Sequence, residues 1–552
     1  MSLRTLSIYP TRTPYVLLLV SCFFLLWGAA CSKSDVSIAP PPPPPAPVQP
    51  TGYYVSLNGN DSNAGTREKP FKTINKVNTL DLQPGETLYF EGGSTFEGTL
   101  RIDTADNGNA GKPVVITSYG PGTATVYGRD KEAIIISSNY FELKNIYAKG
   151  AGRKEGNTSS GINIEGATYG LLEQITTEGF QKSGLQVINS KNITVQKLRA
   201  HNNGFCGIYV SGLFEQNGHV LLPGERTSRN IIIRECTAEN NPGDPTNLTI
   251  HSGNGIFIES TDGCLVDYCV ATNNGWDMPH PNTGPIGIWT SSCDSVTIQH
   301  CISYANKTSI GGLDGGGFGI DGGVTNSVIQ YCLSYDNTGA GFGIYHWSGA
   351  SPWKNNTVRY SVSINDAKNR LYGSFSFWNG AGDSKQFTNC QVYNNAVYNT
   401  SNSNVVFMAN CQTENFVFYN NIFVGVADII RDASSSDRFV GNDYWTVAGK
   451  TINFSGYNTL EAWANATGQE MLNGVLKGQY TDPLFRGPFT TNLSDPKQLQ
   501  ALTGYQLQQN SPLRDAGLNL KTLFNISPAS FDFFGNSALT GNAPEPGIHE
   551  LN

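Results

Sequence analysis

The chain repeats one short unit, in which a glycine is followed by an apolar residue and then by a residue that we expect to face outward. The unit begins at steps of 23, 23, 48, 32, 32 and 24 residues, at Gly161, Gly184, Gly207, Gly255, Gly287, Gly319 and Gly343. Successive side chains of a β-strand point to opposite faces, so stacked units would align their apolar residues inward. Such a period predicts a solenoid of β-strands, in which each coil packs only on its neighbours.

The third residues of these units should form one exposed column. They are Asn163, Gln186, Tyr209, Phe257, Trp289, Asp321 and Tyr345. Aromatic faces bind the apolar faces of sugar rings, and an exposed apolar strip needs a partner. We therefore predict that the four aromatics, Tyr209, Phe257, Trp289 and Tyr345, bind a saccharide. The alternative is that they only shield the sheet, since cross-strand aromatic pairs contribute about 0.2–1 kcal/mol by themselves.

Composition indicates a β-rich extracellular protein that does not bind nucleic acid. The chain has 552 residues, of which 61 are glycine, 11% are aromatic and only 14% are charged. The formal net charge is −8. A negative surface repels the phosphate backbone, which excludes nucleic acid as a partner. We expect a monomer.

The N-terminal segment predicts export and lipid anchoring. Arg4 and Arg12 precede an apolar run, residues 15–27, that is too short for a comfortable membrane span. Residues 28–31 (GAAC) resemble a bacterial lipobox, which implies that residues 1–30 are a signal peptide and that Cys31 is lipidated. Residues 31–52 include an unbroken proline run and predict a stiff tether. We expect a lipoprotein held by the outer membrane at the cell surface or in the periplasm; an ordinary secretory signal is the alternative.

Four of the eleven cysteines recur once per coil. Cys236, Cys269, Cys301 and Cys332 follow one another at steps of 33, 32 and 31 residues, each after alternating apolar residues. This spacing predicts a stacked inward ladder of small apolar side chains. No C-x-x-C pair or histidine spacing supports a metal site at these cysteines. A disulfide between cysteines of adjacent coils remains an alternative.

A second repeat consists of asparagines at predicted turns. They are Asn202, Asn203, Asn240, Asn241, Asn273, Asn274, Asn306, Asn337, Asn394, Asn395, Asn420 and Asn421. Asparagine tolerates a left-handed backbone, and its amide can bond to the next rung. We therefore expect these residues to mark the corners of successive coils.

Several segments resemble right-handed parallel β-helix proteins of the pectate-lyase-like superfamily. Residues 53–77 (YYVSLNGNDSNAGTREKPFKTINKV) resemble the family's N-terminal entry, and residues 84–90 its turn into the first coil. Residues 252–256, 284–289 and 314–327 resemble secreted bacterial members, and residues 482–484, 505–507 and 515–517 the closing segment. The resemblance implies an all-β, right-handed parallel β-helix over residues 53–425. A short N-terminal helix with Phe71, Ile74 and Val77 facing the core would cap it, and residues 426–552 would form an irregular closing segment packed on the solenoid, with one short helix.

The uneven spacing of the turn asparagines and repeat glycines predicts where the functional surface lies. The gaps from Asn241 to Gly255, Asn274 to Gly287 and Asn306 to Gly319 are 14, 13 and 13 residues, against four in a short coil. Long loops on a rigid scaffold are usually functional. These loops should form a wall beside the aromatic column, and a second insertion, residues 212–228, should form the far wall.

The carboxylates near this wall are the candidate catalytic groups. Asp321 interrupts the column, Asp314 lies seven residues earlier across a glycine turn, and Asp277 is a candidate third member. A close carboxylate pair can divide acid and nucleophile or base roles in glycoside hydrolysis. Two alternatives remain open: the aspartates cap the glycine-rich turn, or the three bind Ca²⁺. No cofactor is otherwise implied.

Lys307 and His346 keep a lyase hypothesis open. β-Elimination on a uronic acid needs a base and neutralisation of the carboxylate, and Lys307 opens the third wall loop. His346 follows Tyr345 and, with Trp276 from the second loop, is a candidate for substrate binding, although strand alternation would turn it inward.

The leading hypothesis is a glycoside hydrolase acting on an extracellular polysaccharide or oligosaccharide. A polysaccharide lyase or uronate epimerase and a non-catalytic glycan-binding or adhesin-like protein are the alternatives.

Overall fold

Three long parallel sheets wind along one axis in a computed structural model. It describes residues 52–551 except 218, 401–403, 409–410, 448, 450–451, 490 and 539–540. The predicted signal peptide, Cys31 and the tether up to residue 51 lie outside the described residues. The sheets are numbered I, II and III in the order in which the chain meets them within one coil, and sheet I is the one that carries the repeat.

The strands that the structure describes are assigned to these sheets as follows. Sheet I comprises Leu100–Ile102, Ile134–Ile136, Ile162–Glu165, Ser183–Ile188, Cys206–Ser211, Asn254–Glu259, Ile286–Ser291, Gly316–Ile320, Phe342–His346, Phe375–Asn379, Val406–Phe407, Asp428–Arg431 and Asn453–Phe454. Sheet II comprises Gly52–Val55, Thr87–Glu91, Val114–Tyr119, Phe141–Lys144, Thr168–Glu173, Lys191–Gln196, Ser228–Arg234, Thr261–Asp267, Asp294–Gln299, Val328–Gln330, Trp353–Arg359, Phe387–Tyr393, Glu414–Tyr419 and Arg438–Val440. Sheet III comprises Thr95–Glu97, Ala124–Arg129, Ile146–Gly150, Thr176–Glu178, Arg199–His201, Thr237–Glu239, Val270–Thr272, Ile302–Tyr304, Leu333–Tyr335, Val362–Ile364, Ala396–Tyr398, Ile422–Gly425, Asp443–Thr446 and Gln479–Tyr480. Two short antiparallel pairs, Glu215–Gln216 with His219–Val220 and Met471–Leu472 with Val475–Leu476, lie outside the coils.

The register confirms the inward stack that the repeat predicts. Ile162, Leu185, Ile208, Ile256 and Ile288 are successive partners across sheet I, and all are fully buried. The apolar residues of each coil therefore bury against the coils before and after it, which confirms a parallel β-helix.

The predicted register is wrong for the last two repeat units. Ile288 pairs with Phe318 and Trp289 pairs with Gly319, which in turn pairs with Gly343. The stack therefore continues through Phe318 and Phe342, two residues earlier in each coil than predicted. Asp321 and Tyr345 consequently lie one outward position further along the sheet than Trp289.

The asparagine repeat marks two different corners of the coils. Between sheets III and I, each buried amide donates to the next, from Asn203 through Asn241, Asn274, Asn306 and Asn337 to Asp366, with N···O distances of 2.8–3.1 Å. Between sheets II and III, a separate ladder runs through Asn395, Asn421 and Asn442 to Glu470. Both ladders satisfy buried turn amides that have no strand partner.

The cysteine ladder forms at the corner between sheets II and III. Cys236, Cys269, Cys301 and Cys332 are buried and carry free thiols. The Cys269 amide donates to the Cys301 sulfur at 3.4 Å, and the Cys332 amide donates to the Ser361 hydroxyl that follows in the column. The prediction of stacked, inward thiols is confirmed.

Short helices close both ends of the stack. Helix Ile74–Val77 is capped by Thr73 and buries Ile74 and Val77, as predicted. At the other end, helix Leu460–Thr467 places Trp463 against Phe439, Tyr444 and Phe454 of the last coils. Helix Leu520–Phe524 and the 3₁₀ turns Thr104–Asp106, Ser384–Gln386, Pro496–Ala501 and Thr503–Tyr505 are peripheral. Among the described residues, none of the helices has the length and apolar character needed to span a bilayer.

The coils extend further than the predicted boundary at residue 425. Strands of sheets I, II and III continue beyond it, to Asn453–Phe454, Arg438–Val440 and Gln479–Tyr480. The remaining closing segment packs along the side of the solenoid and reaches back to early coils, where Lys497 Nζ lies 2.7 Å from Glu235 Oε2. Its apolar residues bury the outer face of sheet III, and Leu513 and Tyr505 pack with Leu333 and Val362 there.

Candidate active site

Three corner loops form the wall that the long gaps predict. They connect sheet III to sheet I over residues 240–253, 273–285 and 305–315. Neighbouring loops bond through their backbones: Asp277 N donates to Pro242 O at 2.8 Å, and Gly315 N donates to Pro285 O at 2.9 Å. The wall is therefore continuous over three coils and stands beside the outer face of sheet I.

Asp321 lies directly after the strand Gly316–Ile320. Its backbone amide donates to Thr290 O at 2.8 Å, which continues the register with the preceding strand. Its carboxylate accepts the Gly322 amide at 2.7 Å. The side chain is only partly accessible to solvent, because the strand and the wall enclose it.

Asp314 ends the third wall loop in a left-handed backbone conformation. Its φ is 57° and that of the following Gly315 is 77°. Asp314 Oδ2 accepts the Gly284 amide at 3.0 Å from the neighbouring loop, and its own amide donates to the Tyr372 hydroxyl at 2.7 Å. Left-handed residues recur at the corners of this solenoid, so Asp314 occupies a regular corner position. Two other loops thus hold this carboxylate in place.

The two carboxyl groups interact electrostatically. Burial, together with a smaller contribution from the charge of Asp314 and against the bond from Gly322, raises the pKa of Asp321 to about 7. Burial raises the pKa of Asp314 to about 6, although bonds from Tyr372 and Gly284 oppose this. At a pH between these two values, the Asp321 carboxyl is mainly protonated and the Asp314 carboxyl is mainly ionised.

Tyr345 belongs to the same apolar cluster as Phe257 and Trp289 and lies near both carboxyl groups. Burial raises the pKa of its phenol, and the charges of Asp314 and Asp321 act in the same direction, so the ring is near both. The ring lies over Gly343, where an added Cβ would come within 2.6 Å of it. A side chain at Gly343 would displace Tyr345, so this glycine shapes the floor beside the pair.

The aromatic floor is covered rather than exposed, contrary to the sequence-based expectation. Phe257 and Trp289 stack face to face at 3.8 Å and are only 2% and 3% exposed. His251 of the first wall loop packs its ring edge-on against both, at 5.5 and 4.9 Å. Trp289 Nε1 donates to Asn254 Oδ1 at 3.1 Å. These two rings form an apolar cluster outside the coil, together with Tyr345.

Tyr209 is half-buried and is hydrogen-bonded to Glu259, a carboxylate that was not predicted as a site residue. Its hydroxyl donates to Glu259 Oε2 at 2.5 Å, and Ser211 Oγ is 3.3 Å from the same oxygen. Burial raises the pKa of Glu259. Glu259 pairs in register with Ser291 on the next strand, and Asp321 follows in the same outward row of sheet I. It therefore adds a third carboxyl group to this face of sheet I.

Trp378 and Tyr372 are further site residues, and neither was predicted from the sequence. Trp378 pairs with Tyr345 on the next strand and is 46% exposed. It lies beyond the glycine repeat. Strand alternation could have predicted its outward position, because the preceding residue, Phe377, faces inward. Tyr372 comes from a loop 58 residues from Asp314 in sequence, so no local pattern indicated it.

Several candidate residues are placed away from the carboxylate pair. Asp277 forms ion pairs with Arg153 and Lys154; burial alone would raise its pKa, but these two cations lower it. Lys307 Nζ donates to Asn273 Oδ1 at 2.9 Å on the outside of the corner. Trp276 Nε1 donates to Asn240 Oδ1 at 3.0 Å in the same region. The predicted trio of aspartates is therefore not assembled, and the described residues contain no group of three or more metal-ligating side chains arranged for a metal ion.

His346 faces inward rather than toward a ligand. It is 1% exposed, and its ring stacks on Phe387 of sheet II at 5.7 Å. Neither ring nitrogen has a hydrogen-bond partner among the described residues. Burial lowers its pKa, which keeps the ring neutral. Strand alternation explains this position, and substrate contact by His346 is not supported.

The geometry can support proton transfer to a bond held over sheet I. One member of the aspartate pair can donate a proton while the other, ionised, can act as a nucleophile or base. Tyr345 and the exposed Trp378 extend the surface along the next two strands, at about 4.8 Å per strand. The site therefore consists of a partly buried acid pair at one end of a shallow, partly aromatic surface.

Known proteins similar to this chain include carbohydrate-active enzymes. Lacto-N-biosidase of Bifidobacterium longum subsp. longum is 25% identical over a region that covers 88% of this chain but only 36% of that protein. Pectate lyase PEL9 of Emericella nidulans is 24% identical, with 59% and 78% of the two chains covered. The crystal structure of a GH136 lacto-N-biosidase from Eubacterium ramulus matches with a TM-score of 0.48 at 17% identity, covering 78% of this chain and 67% of that one. The model of the Pel9A-like right-handed β-helix region matches residues 53–370, which is more than half of the chain. The chain therefore belongs to the Pel9A-like right-handed β-helix family.

Proposed function

We propose that this protein is a glycoside hydrolase that cleaves an extracellular oligosaccharide or polysaccharide, with Asp314 and Asp321 as the catalytic pair. The observation that carries the proposal is the presence of two partly buried carboxyl groups beside sheet I, where burial raises the pKa of Asp314 to about 6 and that of Asp321 to about 7. Such a pair keeps one acid and one carboxylate available near neutral pH, which is what hydrolysis by two carboxyl groups needs.

The placement of the cations favours hydrolysis over β-elimination. A lyase needs a base near the sugar C5 and a positive charge on the uronate carboxylate. Lys307 bonds to Asn273, while Arg153 and Lys154 bond to Asp277. Hydrogen bonds from Tyr372 and Gly284, rather than a cation, lower the pKa of Asp314. The similarity to a protein named lacto-N-biosidase is consistent with a hydrolase.

Substrate panels separate hydrolase, lyase and binding protein. The mature chain is incubated with neutral and uronic-acid polysaccharides, and new reducing ends are followed together with absorbance from unsaturated uronates. Reducing ends without that absorbance support hydrolysis, whereas both signals together support a lyase and refute the proposed mechanism. Retention on a glycan without either signal identifies a binding protein.

Single substitutions then test the pair. Asp314→Asn and Asp321→Asn should each lower kcat by about 10³-fold while leaving the fold intact, because each removes one acid–base partner. Asp277→Asn is the matched control, since Asp277 pairs with Arg153 and Lys154 instead. Unchanged turnover in Asp321→Asn would refute the assignment.

We also propose that the protein is anchored at the bacterial surface or facing the periplasm through Cys31. The motif at residues 28–31 and the proline-rich run after it support this. Metabolic labelling with a fatty acid should mark the wild type and not Cys31→Ala. A labelled Cys31→Ala variant would contradict the proposal.

A further inference from the structure

A second concave site lies on the outer face of sheet III, on the other side of the wall from the aspartate pair. It encloses about 300 Å³ and is lined by Trp276, by Lys149 and Glu178 of sheet III, and by the turn that contains Arg153, Lys154 and Glu155. None of these residues belongs to the carboxylate pair or its bonding partners. This volume is at the lower end of the range of small-molecule sites and suits one or two sugar rings.

Trp276 is held rigidly with much of its ring in solvent. Its indole N–H donates to Asn240 Oδ1 at 3.0 Å, and the Arg153 guanidinium carbon lies 5.9 Å from the ring centroid. The side chain nevertheless remains 43% exposed. A fixed aromatic face loses little conformational entropy when a ligand packs on it. An exposed tryptophan held in this way is a platform for the apolar face of a pyranose ring.

Arg153 is itself fixed by contacts from two wall loops. It forms an ion pair with Asp277, and its Nη1 donates to Gly243 O at 3.0 Å. The guanidinium side chain is only 10% exposed. Because Arg153 is already bonded, it supports the ring rather than offering a free positive charge.

The charges that line this site are balanced. Lys149, Arg153 and Lys154 face Glu155 and Glu178, while Asp277 pairs with both Arg153 and Lys154. Carboxylates accept bonds from sugar hydroxyl groups, and ammonium groups donate to sugar oxygens. Balanced donors and acceptors around one aromatic face favour a neutral sugar over a uronate.

We propose that this concavity is a non-catalytic binding site for a neutral saccharide, with Trp276 as its stacking platform. The loop that carries Trp276 also provides the Gly284 amide that bonds to Asp314. The site would therefore hold a second saccharide segment beside the hydrolytic surface. Binding here does not depend on the proposed hydrolysis.

Residue-specific oxidation of tryptophan tests this proposal. The full-length chain carrying Asp314→Asn and Asp321→Asn is treated with N-bromosuccinimide, and oxidation at Trp276 and Trp378 is followed by peptide mass spectrometry. The neutral probes are cellohexaose, chitohexaose and a hexamer of β-1,4-galactose; the anionic probe is a hexamer of galacturonic acid. Free N-acetyltryptophanamide in each sample corrects for consumption of the reagent.

We expect at least one neutral probe to slow oxidation of Trp276 by about fivefold at saturating concentration. Lys149→Ala should weaken this protection and leave the behaviour of Trp378 unchanged. Three outcomes would each overturn the proposal. They are protection of Trp378 alone, protection of Trp276 only by the galacturonic acid hexamer, and an unchanged rate of oxidation of Trp276 with every neutral probe. Protection of Trp276 without hydrolysis in the wild type would refute only the proposed catalysis.

Discussion

The backbone amide of Asp314 donates to the hydroxyl of Tyr372 at 2.7 Å, across 58 residues of sequence. This bond holds the left-handed aspartate in place, and contact with the same hydroxyl lowers the pKa of the Asp314 carboxyl against the effect of burial. The loop that carries Tyr372 therefore positions a group of the proposed pair without belonging to its wall.

Replacement of Tyr372 should reveal this positioning role. In Tyr372→Phe we expect kcat/KM to fall by about tenfold, because one buried hydrogen bond contributes on the order of 1–1.5 kcal/mol. The pKa of Asp314 should also rise, so the acidic limb of the pH–rate profile should move to higher pH. A uniform loss of activity with no displacement of the profile would indicate a merely structural role.

The activity profile should be narrow and centred between the two pKa values. Below about pH 6 both aspartates are protonated, and above about pH 7 both are ionised. Only the singly protonated pair has both an acid and a base. We expect kcat/KM to decline on both sides of this window, as measured with a neutral substrate in buffers of constant ionic strength. A plateau that continues to pH 9 would contradict this prediction.

Stability should respond to Asp321 in the opposite sense from an ordinary ion-paired aspartate. The pKa of Asp321 is raised from 3.8 to about 7, so its carboxyl costs no stability below the unfolded pKa, and the cost grows as pH rises toward 7. Asp321→Asn should therefore unfold at the same denaturant concentration as the wild type at pH 3.5. At pH 8 it should be more stable by about 4 kcal/mol, since a difference of one pKa unit corresponds to about 1.4 kcal/mol. Equal stability of the two proteins at both pH values would show that this carboxyl is not desolvated.

Trp378 should contribute to substrate affinity more than to chemistry. It lies one strand beyond Tyr345 in the same row, with nearly half of its surface exposed. We expect Trp378→Ala to raise KM for an oligosaccharide by about tenfold with little change in kcat, because it removes a contact made equally in the ground and transition states. Trp276→Ala, on the opposite side of the wall, is the matched control and should leave KM for a short substrate unchanged.

Adjacent asparagines at one corner should differ greatly in their effect on stability. Asn274 is buried, accepts two bonds from Asn241, and donates to Asn306 and to Ala238 O. Asn274→Ala should lower the free energy of unfolding by about 3 kcal/mol, since it leaves several buried groups unpaired. Asn273 belongs to the outer row and has a φ of 52°, so Asn273→Gly keeps its conformation and should change stability by less than about 0.5 kcal/mol. Similar losses in the two variants would contradict the ladder's role.

The sequence by itself determined the coil architecture, because the chain encodes each coil locally. An inward apolar residue, a turn asparagine and a corner cysteine recur at the period of one coil, and each repeat packs only on the next. The same spacing located the wall, since an insertion within a fixed period can only extend outward from a corner. For this reason the cysteine ladder and the three long loops could be predicted without tertiary information, whereas the N-terminal cap was predicted from the resemblance to the pectate-lyase-like superfamily.

Tertiary structure alone decided which residues meet at the site. A two-residue change of register moved Asp321 out of the row of Trp289, because Gly317 rather than Gly319 continues the stack, and both positions fit the glycine repeat equally well. His251 covers the pair of Phe257 and Trp289, whose spacing predicted exposed rings. Arg153, which is 124 residues from Asp277 in sequence, binds the Asp277 carboxylate away from the aspartate pair. These outcomes depend on how long loops fold over the coils, and that packing has no period in the sequence.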